Sequence, residues 1–201
     1  MKPINAAGFE QKFRKNIDPW SYAASSFEHF KRDVLLRACG CRTYGRGLEL
    51  ACAIGETTRY LSSRCLRLLA VDSSPTALAE AKRRLRGNSK VSFRLATLPE
   101  QMPHGPFDLI VASEIVYYLS PRALDELLRR LAAAAAPNGR IVILDHTRPF
   151  HDAAQQPARA HDITRLKLQK TMHTVFRERH RRFEVVSFRK RAPALRLRNA
   201  E

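Results

Sequence analysis

Leu48-Glu49-Leu50-Ala51-Cys52-Ala53-Ile54-Gly55-Glu56-Thr57-Thr58 is the stretch that decides the fold. It starts as a short apolar strand from Gly47 to Ala51 and ends at a helix start near Glu56. Between them, small residues stand at every second position, 51, 53 and 55. Residues without a large side chain let the backbone approach a ligand closely. The amides beyond them open a helix, whose exposed N–H groups favour polar ligands. The spacing is not the dinucleotide pattern G-x-G-x-x-G. An ordinary strand-turn-helix is the plainer alternative at this stretch.

Working outward, the strand pattern repeats. Helical spacing places a helix from Ser26 to Cys39, capped by Ser25 or Ser26 and ended by Gly40. After the first strand comes a helix over Glu56 to Arg64, then a strand from Leu66 to Val71 that ends at Asp72. Ser73 or Ser74 caps the next helix, with Pro75 at its first position. That helix runs from Thr76 to Arg86 and stops at Gly87-Asn88. Further strands are expected over Val91 to Leu95, Phe107 to Ser113 and Arg140 to Leu144. A helix from Pro121 to Ala136, ended by Pro137-Asn138-Gly139, separates the last two. Five strands alternating with helices predict a Rossmann-like α/β fold, a mostly parallel sheet covered by helices on both faces. The remainder is less regular. Residues 1–25 read as irregular, 149–157 as a loop, 158–177 as a basic helix, and Arg182 to Lys190 as a strand. Another strand over Ala194 to Arg198 would complete seven.

Ligands of open parallel sheets bind at the carboxyl ends of the strands. Asp72 ends the second strand, where an acid can accept hydrogen bonds from two ribose hydroxyls. Alternatively it is an acid favoured by the helix N-terminus that follows. After the third strand stands Ala96-Thr97-Leu98-Pro99, with Glu100 beyond. The fourth strand ends in Ser113-Glu114-Ile115-Val116-Tyr117-Tyr118-Leu119. Glu114 could hold an amine or hydroxyl, or take its proton. Tyr117 and Tyr118 could flank a cation or a sugar ring. His146, just past the fifth strand, lies on the same edge. A surface acid and core aromatics are the bland alternative for these residues.

The chain has 201 residues, enough for one well-developed core. Its formal charge of +17 favours anionic partners or self-repulsion. The cations concentrate after about residue 158, which suits either a nucleic-acid or anionic-membrane patch or a solvated face. Phe176, Phe183 and Phe188 read as core rather than as stacking platforms. Cys39, Cys41, Cys52 and Cys65 match no common zinc spacing, so no metal site is expected. No signal peptide and no membrane span are indicated, and the cytoplasm is the expected location.

The order of these motifs resembles class I S-adenosylmethionine (SAM) methyltransferases over about residues 26–190. More narrowly, Asp18-Pro19-Trp20, the Phe27-Glu28 helix start, Leu48 to Thr58 and Ser113 to Leu119 resemble the nodulation protein S (NodS-like) family. That resemblance implies a seven-stranded class I methyltransferase fold and SAM as cofactor. It implies a cofactor pocket of Glu49, Ala51, Cys52, Ala53, Gly55, Asp72, Ser73, Thr97, Leu98 and Ser113, with Glu114, Tyr117, Tyr118 and His146 on the catalytic side. Residues 1–25 would contribute a lid to a methyltransferase domain spanning 26–201. The implied activity is N-methylation of a deacetylated amino sugar or chitooligosaccharide, with the small-molecule substrate as partner. An RNA or other small-molecule methyltransferase and a non-catalytic SAM-fold binding module are the alternatives. The chain departs from the family in having alanines at two of three glycine positions, no acid in the loop at 96–99, and a strongly basic tail.

Overall fold

The computed structural model describes residues 3–191. Its seven strands are β1 (Tyr44–Leu50), β2 (Cys65–Asp72), β3 (Val91–Leu95), β4 (Phe107–Ser113), β5 (Ala135–His146), β6 (Met172–Arg179) and β7 (Phe183–Lys190). They form one sheet in the order β3-β2-β1-β4-β5-β7-β6. The pairings from β3 across to β5 are parallel, and β7 is antiparallel to both β5 and β6. This is the expected Rossmann-like, mostly parallel seven-stranded sheet.

The helices are α1 (Ala6–Lys15), α2 (Ser26–Cys39), α3 (Glu56–Ser62), α4 (Pro75–Arg84), α5 (Pro121–Ala134) and α6 (Pro157–Gln169). Their starts follow local chemistry. Ser25, Ser74 and Ser120 each accept a hydrogen bond from an amide in the first turn, and proline stands in the first turn of α4, α5 and α6. Gly40 closes α2 at a φ of 80°.

Both faces of the central strands are buried. Leu48, Leu50, Ile110, Ala112, Ile141 and Ile143 pack with Leu124, Leu127, Leu128 and Leu131 of α5 and with α6. Leu109, Val111, Val142 and Leu144 point the other way, to Val34, Leu35 and Ala38 of α2 and Leu61 of α3. Each fully buried Val, Leu or Ile among these contributes about 1.5–3 kcal/mol. Two-sided burial explains why FDLIVAS reads as a continuous apolar run rather than an alternating one.

The ends of the chain differ from expectation. Residues 1–25 are not irregular throughout, because Asn5 caps α1 through a 3.0 Å bond from the Gly8 amide. The helix expected over 158–177 ends at Gln169, and Met172–Arg179 turns back as the edge strand β6. So β6 supplies the seventh strand, and the strand expected over 194–198 lies outside the described residues. Pro137-Asn138-Gly139 does not separate helix from strand but sits inside β5, as an irregularity in its pairing with β4. The basic region is correspondingly divided. Arg177 and Arg179 lie on Glu184, Lys167 on Asp125, and Lys190 donates to the Ala132 and Ala135 carbonyls at the end of α5. Among the described residues, no helix is long and apolar enough to cross a membrane.

Candidate active site

The chain leaves β1 toward β2 and β3 on one side and returns through β4 to β5 on the other. The switch between β1 and β4 opens a crevice at the strands' carboxyl ends, the usual ligand position in such sheets. A cavity of about 650 Å³ lies there. Its walls include Ala51 and Ala53 after β1, Asp72 and Ser73 after β2, Thr97 and Leu98 after β3, Ser113 and Glu114 after β4, and His146 at the end of β5.

The β1 loop has the backbone its small residues suggest. Ala51 and Ala53 have φ of 55° and 48°, and Gly55 has 79°. All three are left-handed, a region that costs a non-glycine residue about 1–2 kcal/mol. Gly55 does not line the cavity. A Cβ there would lie 2.9 Å from Leu85 Cδ1 and 3.0 Å from Ala81 Cβ, so its smallness serves the packing of α3 against α4. Asp72 fastens the loop from the next strand. Its Oδ2 accepts from the Ala53 amide at 2.8 Å and its Oδ1 from the Ser74 amide at 2.9 Å. Burial pushes the Asp72 carboxyl above the ordinary range, and these amides oppose that rise.

Glu49 and Cys52 do not line the main cavity. They lie in a small adjoining recess that shares Ala51, Ala53, Ser113 and Glu114 with it. Burial pushes Glu49 up to about 8. Its Oε2 is buried without a hydrogen-bond partner among the described residues.

Glu114 is the most constrained residue of the site. Its φ is 59° and both oxygens of its carboxylate are engaged. Oε1 accepts from Lys31 Nζ at 2.6 Å; Oε2 accepts from the Tyr117 hydroxyl and, at 3.0 Å, from the His146 amide. Burial alone would raise its carboxyl, but the Lys31 ammonium, the Tyr117 hydroxyl and the His146 amide together hold it below the ordinary range. A carboxylate so satisfied is a weak base. His146 is different. Burial, helped by Lys31, Arg182 and Arg148, lowers its imidazole below the ordinary value despite Glu114. It is therefore neutral near pH 7, with a ring nitrogen able to take a proton.

Several lining residues are absent from the sequence expectation. Phe9 and Phe13 of α1 and Trp20 and Tyr22 of the following turns close one wall. Phe9 meets Tyr118 edge-on at 4.8 Å, and Phe13 meets Trp20 at 5.7 Å. Two polar ties hold α1 in place. Glu10 accepts from the hydroxyls of Ser74 and Thr76, both at 2.6 Å, and Lys12 pairs with Asp152 at 2.6 Å. The Asn5 cap and the i, i+4 spacing of Phe9 and Phe13 were the available signals for this helix. Lys31 had none, since a lysine on a helix usually reads as solvated.

The lining is aromatic and acidic. Five carboxylates (Glu28, Asp72, Glu100, Glu114, Asp152) stand against three cations (Lys12, Lys31, Arg182). In a chain of charge +17, the cavity lining thus carries more carboxylates than cations.

Comparison with known proteins agrees with this architecture. Nodulation protein S of Sinorhizobium fredii strain NGR234 is 32% identical over 127 residues, covering 62% of this chain and 59% of that protein. Trans-aconitate 2-methyltransferase of Methylobacterium nodulans is 37% identical over 100 residues, 49% of this chain and 37% of that one. The crystal structure of N-methyltransferase NodS from Bradyrhizobium japonicum WM9, in complex with S-adenosyl-L-homocysteine (SAH), superposes with a TM-score of 0.77 at 24% identity, covering 90% of this chain and 97% of that one. This likeness shows the class I methyltransferase fold. The matched part of the chain spans between 53% and 61% of the length of four curated NodS relatives. Residues 6–149 match the family model for nodulation protein S (NodS), and on that match the chain belongs to the NodS family.

Proposed function

We propose that this chain is a SAM-dependent N-methyltransferase whose acceptor is the free amine of a deacetylated amino sugar or chitooligosaccharide. The observation that carries the reading is the acidic, aromatic cavity between β1 and β4 of an otherwise basic NodS-family protein. A sulfonium donor and an ammonium acceptor are both cations, and aromatic faces and carboxylates attract cations. A polyanion such as RNA would meet repulsion there, which favours the small-molecule substrate.

The residues present fit the cofactor. Ala51, Ala53, Asp72, Ser73, Thr97, Leu98 and Ser113 are the residues that would hold it, and Glu49, with its orphaned Oε2, lies in the recess that adjoins them. SAM, when bound, supplies a methyl group made electrophilic by its sulfonium sulfur. Asp72 would serve the ribose hydroxyls while also fixing Ala53. Tyr117 and Tyr118 flank the acceptor, and α1 with the Trp20 turn acts as a lid that excludes water. A protonated amine has no lone pair to give. A ring nitrogen of His146 takes that proton, while Glu114 positions His146 and Tyr117. Cys39, Cys41, Cys52 and Cys65 are all free thiols, which supports a reducing compartment, the cytoplasm.

The test is calorimetry with SAH, followed by methyl transfer from SAM to a fully deacetylated glucosamine tetramer. Binding with transfer to the amine is expected, and His146→Gln should slow transfer without weakening SAH. A chain that binds no SAH would end the methyltransferase reading, and transfer to RNA but not to the tetramer would replace the acceptor.

A further inference from the structure

Both oxygens of Glu114 are already engaged by the protein, one by Lys31 and the other by Tyr117 and the His146 amide. Lys31 is itself shared. Its Nζ donates at 2.9 Å to Glu28 Oε1, three positions earlier on α2, and at 2.6 Å to Glu114. Its side chain is only 9% exposed, so this charge is compensated locally rather than by solvent. Two carboxylates around one ammonium leave one net negative charge. Among the described residues, Oε2 of Glu28 has no hydrogen-bond partner, and Glu28 faces the cavity. The free negative charge of the cluster is thus presented by Glu28. Beside it stands the Phe27 ring, which also lines the cavity and already carries Lys31 Nζ at 5.5 Å and the Arg182 guanidinium at 3.8 Å.

We propose that Glu28 binds the acceptor's ammonium and sets the preference for a free amine over an N-acyl group, with Lys31 limiting the cluster to one negative charge. This rests on the methyltransferase reading above. An ammonium brings a full charge and three N–H donors to Oε2 of Glu28. An N-acetyl group brings one neutral N–H and a carbonyl oxygen that the carboxylate repels. The same geometry makes Glu114 a positioning residue, since all its bonds end on the protein. Glu28 also stands in the first turn of α2, where an acid steadies the helix. That purely structural role would affect stability but not the choice between amine and amide.

The experiment is calorimetry on the SAH-saturated full chain, with glucosamine tetramer and its fully N-acetylated counterpart as the two probes. Glu28→Gln should weaken the amine by about ten- to a hundredfold, the size of one hydrogen bond to a charged group. The acetylated tetramer and SAH should bind as they do to the wild type. Equal weakening of both tetramers, or an unchanged amine affinity, would overturn the role of Glu28. Failure of the wild type to bind SAH would instead sink the methyltransferase reading, and this inference with it. If Glu28→Gln does not fold, Glu28→Asp keeps both charge and helix start. It should lose amine affinity selectively through its shorter reach, and an equal loss for the two tetramers would overturn the proposal in the same way.

Discussion

Lys31 on α2 and Glu114 after β4 lie 83 positions apart in the chain, and their Nζ and Oε1 atoms meet at 2.6 Å. The contact ties the helix that covers one face of the sheet to the strand end where the crevice opens. It also fixes the ionisation of Glu114. Burial pushes its carboxyl upward, and the ammonium is the largest of the influences that hold it down. The pair therefore couples the fold to the charge of the cavity.

Removing one partner of a buried pair strands the other. Lys31→Met should cost about 3–5 kcal/mol of stability. Lys31→Met with Glu114→Gln should recover part of that loss, because the second change removes the stranded charge. Urea unfolding of the two single variants and the double variant measures the coupling. A double variant no more stable than Lys31→Met would show that the pair contributes packing rather than charge compensation.

Asp72 has two duties, so its variants should separate in order. Asp72→Ala leaves the Ala53 and Ser74 amides without their acceptor and removes any ribose contact. SAH affinity should then fall by about tenfold or more, given about 1.5–3 kcal/mol for a bond to a charged group. Asp72→Asn keeps one oxygen and should fall between the wild type and Ala. Three equal dissociation constants by calorimetry would remove Asp72 from the cofactor site.

Much of the sheet was legible because its signals are local. β3 and β4 fall where their apolar runs place them, and Asp72 and Ser113 end their strands as expected. What escaped depends on distant partners. In α1 only Phe13 is fully buried, and its polar sequence hides a helix held by Glu10 and Lys12. β6 exposes most of its side chains as an edge strand, so its cations read as a continuing basic helix. Its Thr174-Val175-Phe176 run was the available strand signal. Gly55 was legible as a required small residue, but not for its reason. The neighbour that forbids a side chain there is α4, about 30 positions on, rather than a ligand.

The β1 loop gives two substitutions between the same residue types with opposite outcomes. Ala53→Gly relieves a left-handed alanine, a gain of about 1–2 kcal/mol. It also loosens the unfolded chain, a loss of about 0.4–1 kcal/mol. The net change is neutral to about 1.6 kcal/mol stabilising. Gly55→Ala places a methyl 2.9 Å from Leu85 Cδ1 and 3.2 Å from Ala81 Cα, at a φ of 79°. It should destabilise by about 1–3 kcal/mol. Thermal unfolding compares the two. A loss of the same size in both variants would mean that position 53 is held by more than its backbone conformation.

His161 gives stability a dependence on pH. Its ring is 1% exposed; Nδ1 lies 2.9 Å from Asp145 Oδ2, and Nε2 is 3.7 Å from Glu184 Oε1. Glu184 in turn carries Arg177 at 2.7 Å and Arg179 at 3.7 Å. Burial would lower the imidazole, but the bond to Asp145 and the charges of Asp145, Glu184 and Asp162 prevail and raise it. The folded state therefore holds this proton more tightly than the unfolded chain does. The stabilisation is complete below the unfolded histidine value of about 6.5 and is lost as pH rises through the higher folded value. Glu49, raised to about 8, pulls in the same direction, so the wild-type slope alone does not isolate His161. The difference between wild type and His161→Gln reports on His161 together with its partner Asp145. Between about pH 6 and 8 the wild type should lose more stability than the variant in urea unfolding. Parallel curves would mean that the imidazole binds its proton equally well in the folded and unfolded chain, and that the bond to Asp145 does not favour the imidazolium.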